Sequence, residues 1–303
     1  MSDIHIWDSH VHLFPPEIYE NWEKYAQIDP VFASLTARSK TPKGTQEAWV
    51  NAEEALIAAD RAGVEGMCMQ GWYWNDPGLM RLHNDYMGQL INDHPDRLKA
   101  FISVNPKFGW EALSEIERCA AKGFCGIGEL GPGGNGYDFN DPDFLAVLEM
   151  AQALDLPVCI HCGESVGADY PGRDRTSLDP LPEVIRRYPD LKFILAHLGG
   201  GMPFFEMNRR FRGIFKNVRY DLAALPLLYD IRIVKAVTEL VGSERILFGS
   251  DFPLLLYPAS CREADMTMFV ERMQTESGLD EDQYKAVMGA NFLEFIRQNE
   301  DVQ

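Results

Sequence analysis

No run of eighteen apolar residues occurs in the 303-residue chain, so nothing in it reads as a membrane-spanning helix. Basic side chains are scarce: 28 Lys and Arg stand against 46 Asp and Glu, a formal charge of −18. Nucleic acid is excluded as a partner, because phosphate binding needs a basic track. A small anionic substrate remains allowed, since a pocket can be locally positive in an acidic protein. The first strand-like run begins near Ile4, which leaves no room for a signal peptide, so the cytoplasm is the expected compartment. Repeats, low-complexity tracts and breaks in composition are all lacking, and residues 1–303 read as a single domain.

Cysteines are few. Cys159-Ile-His-Cys162 has C-x-x-C spacing, but residues three apart on a strand point to opposite faces and cannot grip one metal together. The six thiols read as reduced packing groups. The glycine-rich Gly131-Pro-Gly-Gly-Asn-Gly136 is followed by no Lys-Ser/Thr pair, so it reads as a flexible loop and not as a phosphate cradle.

What is present is an alternation of strand and helix from end to end. Strand-like runs fall near Ile4–Ser9, Val64–Met69, Leu98–Val104, Cys125–Glu129, Pro157–His161, Lys192–His197, Val218–Asp221 and Arg245–Ser250. Helical stretches come after them around Gln46–Ala62, Gly78–Asp93, Gly109–Ala121, Asp143–Leu154, Pro180–Tyr188, Phe204–Phe215, Leu228–Val241 and Arg262–Glu276. A last amphipathic segment, Glu281–Arg297, is a candidate for an interface in a homodimer. Eight such units in a chain that is 46% hydrophobic predict an α/β fold, a (β/α)8 TIM barrel. A doubly wound open sheet is the competing architecture. It gives no reason for metal-type residues on strands one, five, six and eight, whereas closure brings strand one beside strand eight.

Those residues carry the chemistry. In strand one, Ile4, Ile6, Asp8, His10 and His12 share one face by the period-2 rule, with both histidines at the C-terminal mouth. His161 and His197 each end an apolar strand, and Asp251 ends Arg-Ile-Leu-Phe-Gly-Ser-Asp. A carboxylate there is costly unless paired or metal-bound. Taken singly, each histidine could be a hydrogen-bonded core residue; the five together predict a metal at the mouth. Imidazole with carboxylate suits zinc first, then manganese or iron. Glu129, ending strand four, is either a ligand bridging two ions or a partner that orients a histidine. His5, His83 and His94 read as structural.

Around this centre lie candidates for binding a small organic substrate. Arg173 and Arg175, after strand five, suit a carboxylate, or else pair with Asp174 and Asp179 on the surface. Trp72, Tyr73 and Trp74 come after strand two as an aromatic pocket wall or as packing for the long connection from Leu13 to about Lys43, itself a lid or a seal.

From Asp8-Ser-His-Val-His12 through Ile160-His161, Ala196-His-Leu-Gly-Gly-Gly201 and Gly249-Ser-Asp-Phe-Pro253 to Gly289-Ala-Asn-Phe292, the chain resembles the amidohydrolase superfamily. The similarity is to its amidohydrolase-related branch of metal-dependent hydrolases, decarboxylases and lactonases. The resemblance implies His10, His12, His161 and Asp251 as metal ligands, with His197 as a second-metal ligand or an acid/base group. Glu129 departs from one-metal members and matches the bridging glutamate of TatD-like branches. The expected activity is hydrolysis of a lactone, ester or amide: a bound ion lowers the pKa of water to about 7, Asp251 handles the proton, and His197 helps polarise the carbonyl. Non-oxidative decarboxylation of an aromatic or unsaturated acid uses the same ligands and is the alternative. A non-catalytic metal-binding barrel is a third reading.

Overall fold

The structure, a computed structural model, describes residues 4–36, 50–167, 169–170, 173–258, 260 and 263–297. Cys261, Arg262 and the parts of the expected first loop and first helix that fall within 37–49 lie outside them.

Eight parallel strands form one sheet in the order of the sequence. They are β1 (Ile6–Val11), β2 (Val64–Met69), β3 (Leu98–Ile102), β4 (Gly126–Leu130), β5 (Val158–Ile160), β6 (Phe193–Leu195), β7 (Val218–Asp221) and β8 (Ile246–Leu247). The sheet closes on itself: the Ser9 amide donates to Phe248 O at 2.9 Å, Asp251 N to His10 O at 2.8 Å and His12 N to Phe252 O at 2.7 Å. The expected TIM barrel is the fold observed.

Two apolar layers hold it. Met67, Met69, Ala100, Ile102, Ile127, Val158, Leu195 and Tyr220 pack outward beneath the helices, while Trp7, Cys68, Phe101, Cys159, Ile194 and Leu247 fill the barrel interior. Strand one corrects the simple alternation. Its register against β2 slips between Asp8 and Val11, where three steps on β1 match two on β2. A second shift lies between Ile6 and Trp7, and residues on the two sides of such irregularities do not keep one alternation: Ile6 packs in the outer layer and Trp7 in the inner one.

Helix ends obey local chemistry. Ala52–Ala62 starts where Asn51 and Glu54 form a capping box, six residues after the periodicity suggested 46, and stops at Gly63 with φ 72°. Pro77–Asp93 and Pro142–Ala153 start at Asp76 and Asp141, whose side chains accept from the Leu79 and Asp143 amides. The expected helix over Phe204–Phe215 is instead a short turn, Met202–Phe205, and two 3-10 segments, because Gly213 takes φ 80° and Asn208 caps a new start. Leu228–Val241 is likewise divided, into Leu225–Leu228 and Ile233–Val241. The connection after β1 contains three helices, Pro16–Glu20, Trp22–Ile28 and Pro30–Thr36.

The terminal segment closes the barrel floor. It contains a π-helical turn, 286–290, where Gly289 approaches the β1 backbone so closely that a Cβ would lie 2.9 Å from Trp7 N. Phe292, Phe295 and Ile296 pack onto Trp7 and the interior layer, and Asn291 Nδ2 donates to Ser243 O and Ile246 O at 2.7 and 2.9 Å. That apolar face is used internally, against the barrel floor. No helix among the described residues is long and apolar enough to cross a membrane.

Candidate metal centre

At the C-terminal ends of the strands, His10 and His12 point their Nε2 atoms at each other across 3.2 Å. Glu129 Oε2 lies 3.7 Å from both, and Asp251 Oδ1 lies 3.4 Å from His12 Nε2 and 3.8 Å from His10 Nε2. The other glutamate oxygen serves the second histidine pair: Oε1 is 2.9 Å from His161 Nδ1 and 3.2 Å from His197 Nε2. The two imidazoles of that pair face each other at 3.1 Å. Glu129 therefore stands between the pairs, one oxygen to each. Its place comes from the end of β4, whose five residues are all buried and whose register against β5 shifts between Ile127 and Leu130.

These atoms fit a divalent cation. Nitrogen lone pairs aimed at one another repel unless a positive charge lies between them, and ligands about 2.1 Å from one ion at near right angles lie about 3 Å apart. The donors of His10, His12 and Glu129, and those of Glu129, His161 and His197, each cluster within 4.8 Å. The electrostatics agree. Burial alone would lower the His10 pKa, yet the Asp221, Glu129 and Asp251 carboxylates raise it to about 9. His197 is likewise pulled up to about 10, chiefly by Glu129 acting against burial. Burial opposes the charge on Glu129, but His161 and His10 hold it well below the carboxylate range. Asp251, despite burial, is held near 2 by His12, His10 and His197. A pocket that holds buried anions and forces protons onto imidazoles is built around positive charge, which a metal supplies by displacing those protons.

The site opens on one side only. His10 and Glu129 are fully covered, whereas the side chains of His161 and Asp251 are 13% and 14% exposed. The solvent-facing edge of the centre is formed by these two. The backbone is strained here: His197 has φ 56° and Asp251 φ 67°, a region that costs a non-glycine residue of order 1 kcal/mol. After His197 the chain continues left-handed through Leu198 and Gly199–Gly201 at φ 54–93°, which explains the triple glycine.

One functional residue was not singled out from the sequence. Asp221, at the end of β7, accepts from His10 Nδ1 at 2.9 Å through Oδ2 and from the His197 amide at 2.9 Å through Oδ1. It fixes the His10 tautomer with Nε2 free for a metal. The available signal was the one that exposed Asp251, a carboxylate closing an apolar strand. Asp8 lies deeper, accepting from the His10 and Ser250 amides at 3.1 and 2.9 Å, with burial raising its pKa to about 6. His197 is oriented by Nδ1 on Ala223 O at 3.0 Å.

Of the candidate substrate groups, the two arginines turn into their own loop, whereas Trp72 packs edge to face against the His12 ring. The Arg173 guanidinium donates to Glu164 O at 2.7 and 3.2 Å and to Gly167 O at 2.8 Å, inside its own loop. Arg175 is exposed and pairs with Asp169. Trp72 and Tyr73 are buried in a stack with Phe14 and Phe32 of the first connection. The 131–136 segment is ordered as a turn of helix, Pro132–Asn135, closed by Gly136. His83 is structural as expected: Nε2 donates to Leu13 O at 3.0 Å while Nδ1 accepts from Trp74 Nε1 at 3.1 Å. Cys159 and Cys162 are free thiols.

The sequence matches the Amidohydrolase family over residues 7–297. It is 27% identical over 259 residues to a 2-amino-3-carboxymuconate-6-semialdehyde decarboxylase of Dictyostelium discoideum, covering 74% of this chain and 69% of that one. It is 23% identical over 218 residues to a gamma-resorcylate decarboxylase of a Polaromonas species, covering 57% of this chain and 65% of that one. Among solved structures, the fold is shared with a 5-carboxyvanillate decarboxylase of Novosphingobium aromaticivorans complexed with manganese and 4-hydroxy-3-methoxy-5-nitrobenzoic acid. The TM-score there is 0.74 at 17% identity, covering 96% of each chain. These relatives are decarboxylases, and they overturn the expectation of hydrolysis. That expectation leaned on Glu129 as a sign of a bridging hydroxide, but a ligand set of histidines and carboxylates serves both reactions. The preference for zinc finds no support either, since the solved relative holds manganese.

Proposed function

This chain belongs to the amidohydrolase family of enzymes, and from that premise we propose that it is a metal-dependent, non-oxidative decarboxylase of an aromatic or unsaturated carboxylic acid. The observation that carries this reading is the alignment over 74% of the chain with a decarboxylase, together with a buried donor set of the matching chemistry.

His10, His12, His161 and Asp251 would hold the cation, with Glu129 and His197 completing the site. A divalent ion bound there supplies Lewis acidity that anchors a substrate carboxylate and a neighbouring oxygen. The chain's own groups then manage the proton. Loss of CO2 breaks a carbon–carbon bond, leaves the electron pair on carbon and requires one proton in return. His197, oriented through Nδ1 by Ala223 O at 3.0 Å, would deliver that proton to carbon, and Asp251, at the open edge of the site, would carry a proton back to it from solvent. The covered side of the pocket excludes water from the carbon that is being protonated. Arg173 and Arg175 would approach a substrate carboxylate only if their loop rearranged.

The test is release of CO2 from 2,6-dihydroxybenzoate, 5-carboxyvanillate and related acids by protein reconstituted with Mn2+. We expect turnover that disappears with chelator and falls at least about 100-fold in Asp251→Asn, the scale for a lost proton-transfer group. An Asp251→Asn protein as active as the parent would remove Asp251 from the reaction. Absence of CO2 from every acid with metal bound would sink the decarboxylase reading.

A further inference from the structure

At the ring nitrogen turned away from the centre, two of the histidines are held by polar partners, His10 by Asp221 and His197 by Ala223 O. His12 Nδ1 is buried with no hydrogen-bond partner among the described residues. What touches its ring is aromatic. Trp72 meets it edge to face, with centroids 5.5 Å apart and planes at 84°, and Phe14 lies nearly parallel at 6.4 Å.

Behind Trp72 the packing continues without a gap. Tyr73 stacks on it at 4.8 Å and 13°. The far face of Tyr73 rests on bare backbone, where a Cβ on Gly134 would lie 2.7 Å from Tyr73 Cδ2 and one on Gly131 would lie 2.5 Å from Cγ. Asn135 Nδ2 holds the Tyr73 carbonyl at 2.9 Å. Trp72, Tyr73 and His12 are all at most 6% exposed. Close-packed interiors transmit displacement instead of absorbing it, so the thickness of this pile fixes where the His12 ring can lie.

We propose that the stack of Gly134, Tyr73 and Trp72 positions His12, doing by packing what Asp221 does for His10 by hydrogen bonding. Trp72 and Tyr73 are then positioning residues of the metal centre, and Gly134 is glycine because the pile has no room for a methyl group. The inference rests on the metal reading of the site and not on the reaction, so it is tested by Mn2+ binding to metal-stripped protein in a calorimeter. Near-UV circular dichroism reports the stack independently.

Trp72→Leu should weaken Mn2+ roughly tenfold or more, the usual effect of losing a ligand's supporting partner, and Trp72→Phe should restore most of the affinity. Gly134→Ala should also weaken binding, but not when added to Tyr73→Leu, because the collision it creates is with that ring. Unchanged Mn2+ affinity in Trp72→Leu with the dichroism signal lost would overturn the proposal. So would a Gly134→Ala effect that persists undiminished beside Tyr73→Leu. Should Trp72→Leu not fold, the Gly134 and Tyr73 pair decides alone. A parent protein that binds no Mn2+ would end this inference and the metal-dependent reading together, whereas metal binding without CO2 release would leave it standing.

Discussion

Asp221 grips His10 at Nδ1 across 2.9 Å, and its other oxygen takes the backbone N–H of His197 at the same distance. One carboxylate at the end of β7 thus sets the tautomer of one candidate ligand and the chain path of another. Replacing it with Asn keeps the shape but removes the charge that favours a donor at Nδ1.

Asp221→Asn should therefore weaken Mn2+ by about 10–100-fold while the thermal transition of the metal-free protein moves little. Calorimetric titration of metal-stripped protein checks it. Affinity equal to the parent would leave Asp221 a mere core residue.

Glu129 sends one oxygen to each histidine pair. Glu129→Gln should lower the metal retained per chain, measured by elemental analysis after purification without chelator. A fall from two ions to one makes Glu129 a bridge, and a fall from one toward none makes it a ligand of a single ion. Unchanged metal content would place it outside the coordination sphere.

His83 gives a pH dependence away from the metal. Burial lowers its pKa from 6.5 to about 3, so the unfolded chain binds a proton that the folded chain refuses. The neutral ring's contribution is complete above pH 6.5 and is lost as pH falls towards 3. The loss amounts to on the order of 5 kcal/mol across that window at about 1.4 kcal/mol per unit. Denaturant unfolding between pH 7 and 4 should show a shallower decline in His83→Phe than in the parent, though from a lower starting stability because Leu13 O and Trp74 Nε1 lose their partner. Parallel slopes would contradict the assignment.

Gly200, at φ 60°, packs against the Gly163 carbonyl, where a Cβ would collide. Gly200→Ala should cost roughly 1–3 kcal/mol or more, combining left-handed strain with a backbone clash, read as a lowered denaturation midpoint. A variant as stable as the parent would show that the loops after β5 and β6 can separate freely.

Much of this was legible from one dimension. Apolar runs separated by helical periodicity revealed all eight strands, and polar residues closing those runs revealed His10, His12, Glu129, His161, His197 and Asp251. Capping chemistry, Asn51 with Glu54, went unread, and periodicity alone placed that helix start six residues early. Less legible were the three helices after β1, two of them started by proline, whose short turns draw stability from packing and not from length. The bulge in β1 was hidden as well, because a register slip is decided by the neighbouring strand.

The sequence by itself determined the closed barrel and the kind of centre it carries, because the alternation of elements and the placing of imidazoles at strand ends are local patterns. Only the tertiary structure decided which oxygen of Glu129 faces which histidine pair, that Asp221 belongs to the site, that Trp72 supports His12 from behind, and that the terminal helix seals the barrel floor. Those are contacts between residues tens to hundreds of positions apart. They arise when strand twist and register bring side chains into van der Waals and hydrogen-bond range, and no window along the chain contains both partners.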